Sequence, residues 1–138
     1  MRWRGILEGG VIAFLISMGL GFVIGFLSGM NLGFIASLFV MISTWVSLFV
    51  GGFWAGWRAP KSKVVHGLLA GMVCLNLSLP INAAMGLQDQ ITLPVVIVAM
   101  INNSMFGALG GFYANKMDMI LRQNSNHSRT GHRGADEL

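Results

Sequence analysis

Two acid–base residues sit about one helical turn inside long apolar stretches of this chain, Glu8 and His66. A carboxylate brought beside an imidazole could gate or relay protons, because histidine titrates near physiological pH. Each residue also has a plainer role. Glu8 follows Arg4 by four residues and suits the start of a helix as an acid facing the dipole. His66 suits an interfacial imidazole bonded to a neighbouring carbonyl.

Deeper in the apolar stretches lie Asn76, Asn102 and Asn103, with Asn82, Ser43, Thr44 and Ser104. Polar groups at such depth are expensive and mark sites worth weighing. Pro80 cannot donate to the carbonyl of residue 76, so Asn76 and its own carbonyl form a small polar patch. The amides either bond between helices, for roughly 0.5–2 kcal/mol each, or line a solute pocket. No carboxylate pair, nucleophile with a base, phosphate loop or Cys/His cluster accompanies them. One Glu and one His under-supply a metal, and His127 and His132 lie in a polar tail. The sequence predicts no enzyme, no cofactor and no metal.

The elements that must position these residues follow from composition. Of 138 residues, 54% are hydrophobic and 10% charged, against about 25% charged in a soluble domain. Between Gly9 and Trp57 there is no charge at all. A bilayer core needs roughly 20 apolar residues per helix, which leaves room for four spans, at about 6–28, 32–57, 64–85 and 92–113. Tight turns fall at Gly29-Met30-Asn31 and at 86–90, and Thr92 with Pro94 suits the start of the fourth span. Residues 1–116 thus form a four-helix transmembrane domain, and 117–138 read as a polar, disordered tail. The first apolar stretch is longer than a signal-peptide core and lacks its cleavage site. The lone Cys74 permits no internal disulfide.

All nine cations fall before span one, between spans two and three, or after span four. The positive-inside rule then sets both termini in the cytoplasm. Trp3, Trp54, Trp57 and Tyr113 gather at the same face, as an interfacial aromatic belt does. The basic pI reflects these flanking charges rather than a nucleic-acid partner. The Asn126-His127-Ser128 sequon and the C-terminal Ala-Asp-Glu-Leu would need the other side of the membrane and are discounted.

Span two ends in Gly51-Gly52-Phe53-Trp54-Ala55 and span four in Gly110-Gly111-Phe112-Tyr113-Ala114, 59 residues on. Glu8-Gly9 and His66-Gly67 echo each other 58 residues apart. The pattern predicts a duplicated hairpin, its copies parallel and related by an axis along the membrane normal. Span one carries Gly5, Gly9, Ala13, Ser17, Gly21, Gly25 and Gly29 at unbroken four-residue spacing. Gly51, Gly52 and Gly56 in span two, Gly67 and Gly71 in span three, and Gly107, Gly110 and Gly111 in span four complete the set. Lipid supplies no hydrophobic drive between helices, so close backbone approach at small residues carries their association. The ten methionines and Trp45 read as packing.

The phrase Gly51-Gly52-Phe53-Trp54-Ala55-Gly56-Trp57-Arg58-Ala59, followed by His66-Gly67-Leu68-Leu69-Ala70-Gly71, resembles a family of small four-span bacterial membrane proteins of unknown function. Its GG-x-x-A-G-x-x-A and H-G-x-x-x-G motifs flank a short basic loop, and the resemblance covers about residues 5–116. It implies a bacterial cytoplasmic membrane and no particular chemistry. Asn115 stands where the first copy has Gly56.

Two functions fit. One is a helix-packing scaffold or accessory subunit that associates with itself or with a larger membrane complex. The other is a small oligomeric transporter or channel module, proton-coupled through Glu8 and His66, with the three asparagines along its path.

Overall fold

The computed structural model describes residues 3–28, 33–84, 86 and 91–133. They form four helices: α1 Trp3–Ser28, α2 Gly33–Arg58, α3 Lys63–Ala84 and α4 Leu93–Arg133. Each is long and apolar enough to cross a membrane. The turn expected at Gly29-Met30-Asn31 lies outside the described residues, as does most of the second turn. At the end of α3, Gly86 adopts φ 77°, and its N–H donates to the Ala83 carbonyl at 3.1 Å. A left-handed glycine closing the last turn is how helices commonly stop. At the start of α4 the Val96 N–H donates to the Thr92 carbonyl at 3.0 Å.

α3 continues through Pro80 to Ala84, as the span expected at 64–85 does. One element end departs from expectation. α4 runs 41 residues to Arg133, well past residue 113 and through most of the tail read as disordered. Between Phe112 and Thr130 there is neither Gly nor Pro to stop it. Asp118 and Arg122 pair one turn apart at 3.3 Å, an arrangement that supports an exposed helix.

The helices form a rhombus. α1 packs on α2 and α3, α4 packs on the same two, and α2 meets α3 across the short diagonal, leaving α1 and α4 at the far corners. An axis along the normal would set counterpart helices diagonally. Instead α1 neighbours α3 and α2 neighbours α4, so the two hairpins lie side by side.

Small residues make up much of the interior, around a few buried aliphatics such as Ile6 and Leu48. Ala13, Ala55, Ala59, Ala70 and Ala114 are buried, while Phe22 and Phe26 are each 81% exposed. Large side chains outside and small ones inside is the pattern of helices packed by backbone approach in an apolar surround. The two glycine phrases account for much of it, because they pack against each other. A β-carbon on Gly110 would strike the Phe49 carbonyl and the Gly52 backbone, and one on Gly56 would come within 2.8 Å of the Gly111 Cα.

Candidate functional site

The cation-bearing end of the bundle holds both acid–base candidates, each with its own partners. Glu8, on α1, is half-buried; its Oε2 lies 3.5 Å from Arg58 Nη1 and accepts from Trp54 Nε1 at 3.5 Å. The Arg58 guanidinium also sits 5.2 Å from the Trp54 ring centre, a cation–π contact. Helix α2 therefore supplies both partners of Glu8, and its C-terminal arginine complements the dipole there.

His66, 4% exposed, opens α3. Its Nδ1 lies 3.1 Å from the Ser62 carbonyl, which also accepts the His66 backbone N–H at 3.2 Å. A carbonyl only accepts, so the neutral ring carries its proton on Nδ1. Nε2 is buried with no hydrogen-bond partner among the described residues. Glu8 and His66 thus share the same end of the bundle without bonding to each other. Among the described residues no three of His, Cys, Asp and Glu converge.

The opposite, turn-bearing half opens. A cavity of about 940 Å³ reaches into it from all four helices. Its walls are largely apolar, with Phe14, Phe22 and Leu48 among them; Ser17, Thr44, Ser78, Asn82 and Asn103 supply the polar points. Thr44 and Ser78 donate back to their own helix, at 2.9 Å to Val40 and 2.8 Å to Leu75. Asn103 differs. It is 9% exposed, and among the described residues its carboxamide forms no hydrogen bond.

Of the three asparagines singled out by sequence, Asn103 alone lines the cavity. Asn76 is exposed and donates to the Met72 carbonyl at 2.9 Å, so the mid-membrane patch expected with Pro80 faces outward. Asn102 is half-buried beside Asn103. Asn82 and Ser17 belong to the cavity and were less prominent, although Ser17 shares the ridge register of Gly21.

The glycines divide in the same way. Gly51, Gly52, Gly56, Gly67, Gly71, Gly107, Gly110 and Gly111 all pack where a β-carbon would meet a neighbouring helix at 3 Å or closer. Gly21 and Gly25, expected to pack like the rest, have nothing within 4 Å among the described residues and line the cavity instead. The reason is splay. α1 is tight on α2 at Gly9 and Ala13, where a β-carbon on Gly51 would lie 2.6 Å from the Ala13 Cβ. Beyond Phe14 the helices diverge around the cavity.

No family model, curated protein or solved structure matches this chain.

Proposed function

We propose that this chain is a multi-pass membrane protein, its cationic end cytoplasmic, that serves as an accessory subunit by packing against a transmembrane helix of a larger membrane protein. One observation carries the reading: the small-residue ridge of α1 is half used. Gly5, Gly9 and Ala13 are covered by α2, and the same ridge continues as Ser17, Gly21 and Gly25, which line the cavity and, among the described residues, have no helix packed on the two glycines. In lipid such a ridge stabilises a helix pair through close backbone contact, so its open half is continuous with an interface already in use. Docking also covers Asn103, whose carboxamide can bond to a partner's hydroxyl or backbone. Gly21→Leu with Gly25→Leu tests the reading in native mass spectrometry after gentle extraction. A stoichiometric partner protein that is lost in the double variant, while the variant keeps its helical content, supports it. A partner retained by the variant overturns it.

A second reading, a small solute carrier or channel module, draws on the same cavity. At about 940 Å³ it lies within the roughly 300–1,000 Å³ of small-molecule sites, and Asn103 offers both donors and acceptor. Proton coupling through a Glu8–His66 pair has less behind it, because Arg58 and Trp54 already engage Glu8. A homo-oligomer in the same measurement would shift the weight to this reading and call for flux assays in liposomes.

A further inference from the structure

A second cavity lies at the cation-bearing end, around the Glu8–Arg58 pair. It measures about 480 Å³ and is lined by Trp3, Arg4, Gly5, Glu8 and Arg58. Two guanidinium groups and one carboxylate leave it net positive. Arg4 is exposed and, among the described residues, forms no ion pair. Arg58 lies 3.5 Å from Glu8 and over the Trp54 ring, and a guanidinium has five donors, so it can still take an anion. Gly5 lets the two arginine-bearing ends meet, since a β-carbon there would lie 3.1 Å from the Arg58 Cβ.

We infer that Arg4 and Arg58 together bind a phosphate-bearing anion at the junction of α1 and α2. Planar forks that match phosphate geometry favour arginine over lysine for this task. The surroundings favour a phospholipid headgroup as the source. Trp3, 62% exposed, and Trp54 flank the cavity as interfacial aromatics do. Below Arg4, the same stripe of α1 turns apolar and open at Val11 and Leu15. Leu15 lies ~16 Å along the helix from Arg4 at 1.5 Å per residue, a track on which an acyl chain can lie. Glu8 competes with the anion for Arg58, which fixes the sign of one substitution. The inference rests on the membrane placement and is independent of the proposed helix docking.

The full-length chain, purified in mild detergent, is titrated with phosphatidylglycerol, phosphatidylcholine or inorganic phosphate, and bound ligand is counted by native mass spectrometry. Phosphatidylglycerol is expected to be retained at least ten times better than phosphatidylcholine. Arg4→Gln, at a side chain that forms no ion pair among the described residues, should weaken retention about tenfold, and Glu8→Gln should strengthen it several-fold. Inorganic phosphate binding with the same response to both variants would keep the site and assign it to a soluble anion. Retention that ignores Arg4→Gln, or that falls in Glu8→Gln, overturns the inference. A carbonate wash of membranes checks the placement separately: a chain released by it would remove the lipid argument, not the arginine pair.

Discussion

Gly67 and Gly107 face each other so closely that a β-carbon on either would overlap the other's carbonyl oxygen. The contact is reciprocal and the atoms in the way are backbone, so no side-chain rotation relieves it. Gly107→Ala should therefore part α3 from α4. Overpacking of this kind costs about 1–3 kcal/mol, read as a lower unfolding midpoint in detergent. Gly21→Ala is the control. With nothing within 4 Å of its β-carbon, it should leave stability unchanged or raise it by up to about 1 kcal/mol through helix propensity. Equal midpoints for the two variants would contradict this packing.

These two glycines also mark where the sequence stops being informative. Hydropathy placed the four long apolar helices, because an apolar run of sufficient length is a local property. The small-residue ridge of α1 is uniform from Gly5 to Gly25, yet only its first half is covered. Nothing in the ridge itself records the divergence beyond Phe14, which depends on how α2, α3 and α4 settle on one another. Asn76 and Asn103 are a parallel case. Both sit in apolar runs, and which of them faces inward depends on helix rotation, fixed here by contacts such as Gly71 against the Asn103 backbone. Spacing set Glu8 against Arg4 on its own helix, whereas its partners, Arg58 and Trp54, come from α2.

The loop between α2 and α3 holds a strained residue. Ser62 has φ 53°, a left-handed conformation that costs a non-glycine residue about 1–2 kcal/mol. Its exposed side chain does nothing that a glycine would lose, and its carbonyl still receives His66 in any variant. Ser62→Gly should gain up to about 1 kcal/mol, net of the freedom glycine adds to the unfolded chain. Ser62→Val, branched at Cβ, should lose about 1–3 kcal/mol. Paired unfolding curves in detergent check both signs.

Lys63 and Asp118 join the start of α3 to α4 through a 2.8 Å ion pair, with the lysine side chain 9% exposed and the aspartate 29%. The asymmetry decides which partner matters. Removing the carboxylate strands a largely buried ammonium, left among the described residues with the Trp57 ring 5.9 Å away. Removing the ammonium leaves an accessible carboxylate that keeps Arg122 at 3.3 Å. Asp118→Asn should lower the thermal midpoint by several degrees, and Lys63→Met should change it little, since an apolar side chain of similar length suits the site. Equal losses from both would mean that the pair acts as a simple surface salt bridge.

Asn103 gives the sharpest division between the two functional readings. The Asn103 carboxamide opens onto a largely apolar cavity and has no hydrogen-bond partner among the described residues, which costs up to about 1–3 kcal/mol, and the cavity has room for a larger apolar side chain. If the cavity of the isolated protein holds only lipid chains, Asn103→Leu removes that cost and should be at least as stable as the native chain, by up to about 1–3 kcal/mol. A partner helix would then dock less tightly to the variant, having lost its one polar contact on α4. If instead the variant unfolds more readily by over about 1 kcal/mol, the carboxamide is already bonded to a polar molecule held in the cavity. That result would favour the solute-binding reading over the accessory subunit, and equilibrium unfolding in bicelles without added partner distinguishes the two.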